Sequence, residues 1–196
     1  MRAKEFIRED VISPSDDPSI MSFWHGGDLN DTSMRPQKKG RFEYGAGLYL
    51  ITRYDVAAKY AKGSRKLYMV NVHKGTEIKS IDLDPEIAKQ FVNSVVRPAK
   101  RKEILGVIAA NIERVGRLKA DTFNNIILNY EGVGPKDTVT LSRFLVDNGA
   151  DYELIGNPFG WGDATMMVLY NTNKIADITR VSPKDKITEF DLPRKF

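Results

Sequence analysis

The chain contains no cysteine, and it has only two histidines and two tryptophans among 196 residues. Without thiols the protein can form neither a disulfide framework nor a thiolate zinc site, and it cannot use a cysteine nucleophile. No apolar run approaches the roughly 20 residues that a membrane-spanning helix needs. Residues 1–19 also lack the apolar stretch of a secretory signal. These absences favour a cytoplasmic protein without a membrane partner.

An excess of charge of either sign is also absent. Thirty Lys and Arg residues face 26 Asp and Glu residues, which leaves a net charge of +4. This balance is typical of a solvated surface rather than of a nucleic-acid-binding protein. The sequence has no Walker loop, no G-x-S-x-G elbow and no metal-ligand spacing. It therefore predicts a protein without a metal cofactor, long enough for one domain with a full core.

Short apolar segments alternate with polar loops in the first part of the chain. Residues 1–19 hold a small amphipathic piece and a Ser/Pro/Asp cluster, and they are expected to form an N-terminal arm outside the core. Strands are predicted at 20–25, 48–51 and 66–75, with a helix at 53–63. The first two strands are separated by a long Gly- and Lys-rich loop, and loops of that length are usually functional or disordered.

Residues 84–149 have helical periodicity almost throughout. Asp84 followed by Pro85 is a typical helix start, because the carboxylate can cap free amides and proline fits the first helical position. Further short strands are expected at 151–156, 165–171 and 175–181. The order of strands, helices and strands predicts one α+β domain over 20–196 with a helical insertion at 84–149.

Two segments near the start combine histidine, glycine and tyrosine. FWHGG at 23–27 places His25 before Gly26, and glycine lets a ligand approach the backbone closely. YGAGLYLITRYDVAAKY at 44–60 carries Tyr49 in a strand and Tyr60 on a helix. Two tyrosines can sandwich a flat, electron-poor ring. Taken singly, such a histidine is more often structural and each tyrosine could simply pack in the core; the combination favours a ligand site.

In order and spacing, the two segments resemble the NAD-binding half of the diphtheria-toxin and poly(ADP-ribose) polymerase branch of the ADP-ribosyltransferases. The resemblance covers roughly 20–75 and 150–180. It implies two small packed β-sheets around a cleft for NAD, which is a co-substrate in this family. His25 would then bond the ribose hydroxyls, and the Gly26 backbone would hold the nicotinamide carboxamide.

The same resemblance assigns the nicotinamide contacts. Tyr49 and Tyr60 would stack on the ring, at the separation typical of the family. Ala57 stands where many relatives have a serine that bonds the nicotinamide amide, so this contact would be absent.

The third motif of the family is matched by MMVLYNTNKI at 166–175. The catalytic glutamate of the family pattern falls on Met166, whose thioether cannot polarise an acceptor. Asp163 is the nearest acid that could take the role of the glutamate. Its interpretation as an ordinary loop aspartate is favoured. In the family the preceding loop selects the acceptor, so Phe159 and Trp161 are candidates for target contact or, equally, for packing at the core edge.

The leading hypothesis is transfer of one ADP-ribose unit from NAD to a macromolecule, with release of nicotinamide. The acceptor is expected to be a protein rather than a nucleic acid. Because Met166 replaces the glutamate, two alternatives stay open: a catalytically silent protein that binds NAD or ADP-ribose, and a toxin that hydrolyses NAD. The opening MRAKEFI resembles the N-termini of bacteriophage proteins, which implies the cytoplasm of an infected bacterium.

Overall fold

The computed structural model describes residues 11–29, 44–61, 66–160, 162–181 and 186–187. It shows an α+β protein, as predicted. The strands are β1 (Val11–Ile12), β2 (Ile20–Gly26), β3 (Leu48–Ile51), β4 (Leu67–His73), β5 (Asp82–Leu83), β6 (Leu118–Lys119), β7 (Tyr152–Gly156), β8 (Thr165–Leu169), β9 (Ile175–Arg180) and β10 (Lys186–Ile187). The helices are α1 (Tyr54–Ala61), α2 (Pro85–Val95), α3 (Pro98–Val115), α4 (Ala120–Asn129) and α5 (Thr138–Asp147).

Six strands form one antiparallel sheet in the order β7-β8-β3-β2-β4-β9. Neighbouring strands pair over several residues within β7-β8-β3 and within β2-β4-β9. Between β2 and β3, the described residues form a single register pair, Trp24 with Ile51. The sheet is therefore divided into two three-stranded halves, β7-β8-β3 and β2-β4-β9, which are joined at one point.

The two halves share an apolar core. One hydrophobic cluster contains buried strand residues from both halves, and none of its described members is helical. These residues are Met21, Phe23, Val70 and Val72 from β2 and β4, and Leu50, Tyr152, Met167 and Leu169 from β3, β7 and β8. The structure thus differs from the expected two small packed β-sheets, because all six strands belong to one hydrogen-bonded sheet.

Helix α1 covers the other face of the sheet beside β2. Val56 and Ala57 of this helix are buried against Trp24. Ile12 is buried in the same cluster, and the Ser15 amide donates a hydrogen bond to the Ser22 hydroxyl at 2.9 Å. The prediction of an arm outside the core does not hold for Ile12, which contributes to the core, whereas residues 16–19 are exposed. Residues 1–10 lie outside the described ranges.

The predicted helical block at 84–149 contains α2 to α5. Its start is confirmed: an Asp84 carboxylate oxygen accepts a hydrogen bond from the Glu86 amide at 2.7 Å, and proline occupies the first helical position. The rings of Phe91, Phe123 and Phe144 pack together, with centroids 4.5–5.7 Å apart. The core of this block also includes Met166, Val168 and Tyr170 from β8 and the residue after it. The helical block is thus packed on β8 and shares its core with that strand.

Candidate functional site

The candidate site lies where the sheet divides. His25 follows Trp24, the one described residue of β2 that is in register with β3. Its Nδ1 lies 2.9 Å from the carbonyl oxygen of Tyr49 on β3. A carbonyl oxygen only accepts hydrogen bonds, so Nδ1 carries the proton and donates. In the neutral ring, Nε2 is consequently an acceptor.

Electrostatics keep the His25 ring neutral. Burial lowers the pKa of His25, and the hydrogen bond to the Tyr49 carbonyl opposes this shift in part. At neutral pH the ring therefore has one donor, used by Tyr49, and one acceptor at Nε2. A hydroxyl group such as those of a ribose is a suitable partner for that acceptor.

Tyr68 is a neighbour of His25 that sequence reasoning missed. It lies directly opposite His25 in the β2–β4 register, and the two ring centroids are 6.5 Å apart. The alternating pattern of its strand was visible in the sequence. The register that brings Tyr68 to His25 was not, because it depends on pairing between distant segments.

Gly26 has a packing role that the sequence did not reveal. A Cβ atom at this position would collide with the carbonyl oxygen of Ala57 and lie 2.9 Å from the Ala61 amide nitrogen. The backbone of α1 thus rests directly on Gly26, and Ala57 is buried in this contact. This packing alone requires a glycine; the contact of its backbone with a carboxamide stays a prediction.

The two tyrosines of the predicted sandwich have different environments. The Tyr49 hydroxyl donates a hydrogen bond to the carbonyl oxygen of Gly45 at 2.7 Å, and the half-buried ring packs against the core of the helical block. Tyr60 on α1 is 60% exposed. The Tyr60 ring is thus mostly in contact with solvent, whereas the Tyr49 hydroxyl has a backbone acceptor.

Met166 belongs to the core. It pairs with Ile51 of β3 and Ile155 of β7, and its side chain is only 6% exposed. It shares an apolar cluster with Val168. The structure therefore places apolar packing at the position that the family pattern assigns to a catalytic acid.

The remaining predicted residues lie before β8. Asp163 is exposed. Phe159 is in a short 3-10 helix, Pro158–Gly160, and its side chain is not among the described atoms. Trp161 lies outside the described residues. The role of this loop in acceptor contact stays a prediction.

A buried polar cluster was also missed by sequence reasoning. It joins the Tyr170 hydroxyl, the Glu153 carboxylate and the Asn124 amide. All three residues are less than 10% exposed. The one signal in the sequence was a glutamate inside a short apolar strand, YELI, where a charged side chain that faces the core needs a partner.

The described part of the chain shows neither a candidate metal site nor a candidate membrane span. It contains no group of three or more His, Asp or Glu side chains that could hold a metal ion. In the same ranges, no helix is both long enough and apolar enough to cross a membrane.

No protein-family model matches the chain, and no curated protein matches it. Among solved structures, the crystal structure of an anti-CRISPR protein is similar, with 11% sequence identity and a TM-score of 0.38. The match covers 84% of this chain and 97% of that one. A likeness at this level carries no argument about fold or function.

Proposed function

We propose that the protein is an NAD-dependent mono-ADP-ribosyltransferase that holds the nicotinamide ribose at the division between β2 and β3. The supporting arrangement is the placement of His25, Tyr49 and Met166, the three motif positions, on strands β2, β3 and β8, with β3 between the other two. The single observation that carries the proposal is the division beside His25, where Nδ1 is held by Tyr49 and Nε2 is left as an acceptor.

In the proposed reaction, the bond between nicotinamide and ribose C1′ breaks and its electron pair leaves with nicotinamide. A nucleophile on the acceptor protein forms the new bond to C1′ and releases its proton. His25 would hold a ribose hydroxyl through Nε2, and Tyr60 would stack on nicotinamide. Because Met166 cannot take a proton, a base on the acceptor would do so. Chain elongation needs an acid at that position, so the product would carry a single ADP-ribose unit.

One observation favours a second candidate, binding of NAD or ADP-ribose without chemistry. Met166 is buried among apolar side chains, so its position provides neither charge nor a hydrogen-bond acceptor of useful strength. A protein that only binds would need His25 and Tyr60 but no acid.

Incubation with NAD labelled in the adenylate part, in the presence of bacterial protein extract, separates the candidates. Label on a protein, with the mass of one unit, supports transfer. Free labelled ADP-ribose indicates hydrolysis, and calorimetric binding without either product supports the silent protein. A ladder of polymer lengths, or no binding of NAD, nicotinamide and ADP-ribose, contradicts the proposal.

The two histidines of the chain provide a matched control for this assay. His25→Ala removes the acceptor at the division and should weaken NAD binding by roughly tenfold, since one hydrogen bond to a ligand is worth about 1 kcal/mol or somewhat more. His73 lies at the exposed end of β4, and His73→Ala should bind NAD like the unmodified protein. Equal NAD affinity of the two variants would show that NAD does not bind at the division between β2 and β3.

A further inference from the structure

Three segments meet at the buried hydroxyl of Tyr170. This hydroxyl lies 2.7 Å from Glu153 Oε2 on β7 and 2.8 Å from the carbonyl oxygen of Tyr44. The Nδ2 of Asn124 on α4 lies 3.3 Å from the same hydroxyl and 3.4 Å from the Tyr44 carbonyl oxygen, and its two protons can serve both acceptors. The cluster therefore connects the edge of the sheet, the helical block and the turn at 44–47 that precedes β3.

The hydroxyl has one proton and two acceptors within reach. When Glu153 is ionised, its carboxylate can only accept, and the charged acceptor draws the Tyr170 proton. When Glu153 is protonated, its own O–H can donate to the Tyr170 oxygen. The Tyr170 proton then points to the Tyr44 carbonyl. One proton on Glu153 thus decides which partner Tyr170 holds.

We propose that Glu153 and Tyr170 form a proton-controlled hydrogen-bond switch that tightens the turn at 44–47 when Glu153 is protonated and loosens it when Glu153 is ionised. This turn supports the candidate site, because the carbonyl of Gly45 accepts the hydrogen bond of the Tyr49 hydroxyl. Tyr170 is accordingly a positioning residue for Tyr49. The inference concerns the protein without ligand and does not depend on NAD chemistry.

Burial, and to a smaller extent two neighbouring carboxylates, favour the protonated form of Glu153. Burial raises the pKa of Glu153, the hydrogen bond from Tyr170 opposes this, and the carboxylates of Asp121 on α4 and Glu77 add to the rise. Glu77 is itself paired with Lys79 at 2.7 Å. Burial, the charge of Glu153 and nearby Tyr49 raise the pKa of Tyr170, so its phenol keeps the proton that the switch needs.

A pH titration by NMR tests the switch. The labelled Glu153 carboxyl should titrate above the ordinary glutamate range, and the amide signals of Gly45 and Ala46 should shift with the same midpoint. As the pH rises and Glu153 ionises, amide protection factors in the turn should fall about fivefold, which corresponds to the loss of one hydrogen bond of about 1 kcal/mol. Glu153→Gln should keep the turn in its low-pH state at all pH values. The control Glu77→Gln, which changes a nearby carboxylate, should keep the transition.

Tyr170→Phe gives an independent test if Glu153→Gln does not fold. Glu153 should still titrate in this variant, but the turn should no longer respond, because the donor between them is missing. The switch is overturned if the turn of the unmodified protein does not follow the titration of Glu153. It is equally overturned if the turn still responds at the same midpoint in Glu153→Gln or Tyr170→Phe.

Discussion

The two sides of β3 differ sharply. Towards β8, every residue of β3 has a register partner, from Leu48 with Leu169 to Ile51 with Met166. Towards β2, the described residues contain one register pair, and the Tyr49 carbonyl is bonded instead to the side chain of His25. One side is continuous sheet under an apolar core, and the other side is divided with a polar ring at the division.

This difference separates the motif positions into two environments. At a division, backbone groups are left outside the ladder, whereas a continuous ladder pairs them with each other. His25 lies on the divided side. Met166 lies on the continuous side, buried between Ile51 and Ile155. The order of the motifs in the sequence does not reveal that His25 lies beside the division and Met166 inside a continuous ladder.

The largest expected effect comes from Met166→Glu. A carboxylate at this position would be buried among the apolar side chains of its cluster, so we expect the free energy of unfolding to fall by about 3 kcal/mol or more. Urea unfolding at pH 7 measures the change. Met166→Leu keeps the apolar volume and should cost less than about 1.5 kcal/mol.

The opposite result would contradict the assignment of the site to the β2 side of β3. If Met166→Glu is as stable as Met166→Leu and hydrolyses NAD, the position opens to the ligand, and the continuous side of β3 is part of the site after all.

A smaller loss of stability is expected from Gly26→Ala. The added methyl group would meet the backbone of α1 at Ala57, and a backbone carbonyl cannot rotate away. We expect a cost of roughly 2 kcal/mol in urea unfolding. Gly106→Ala on α3 is the control, since a Cβ there meets nothing within 4 Å. It should stabilise the helix by about 0.5–1 kcal/mol. Unchanged stability in Gly26→Ala would mean that α1 does not rest on β2 as described.

His25→Ala should cost about 1–2 kcal/mol, because it removes the donor to the Tyr49 carbonyl. It should also change the pH dependence. The pKa of His25 is lowered in the folded protein, so the unfolded chain takes up the proton first, near pH 6.5. Stability from this group is present above that pH and is lost as the pH falls below it. Unfolding in urea between pH 5 and 8 should show this loss in the unmodified protein and in His73→Ala, but not in His25→Ala. The same slope in all three would show that the ring is not buried at the division.

Local signals were sufficient to predict most of the elements. The strand at 48–51 and the start of α2 at Pro85 were predicted at the positions where the structure has them. Both signals lie within a few residues: a short apolar run, or a capping aspartate before a proline. The α+β class followed from the order of these elements.

The candidate site could be predicted only in part, because its geometry depends on distant segments. The division between β2 and β3 is a property of strand pairing, and no local pattern marks it. The same holds for the contact of Gly26 with Ala57 and for the partnership of Glu153 with Tyr170. The short β5–β6 pairing was missed because two-residue strands have no detectable period.

The smallest effect on stability is expected from Tyr60→Ala. Tyr60 is 60% exposed, so its truncation should change the free energy of unfolding by no more than about 0.5 kcal/mol. Tyr54 on the same helix packs edge-to-face on Trp24, with ring centroids 5.2 Å apart, and Tyr54→Ala should cost clearly more. If the divided side of β3 binds nicotinamide, Tyr60→Ala should weaken NAD binding by about three- to tenfold, the worth of one stacked ring, while Tyr60→Phe should retain it. Calorimetry measures the affinities and urea unfolding the stabilities. If the unmodified protein, Tyr60→Phe and Tyr60→Ala bind NAD with the same affinity, Tyr60 is not part of the site. His25 would then be the remaining predicted contact at the division.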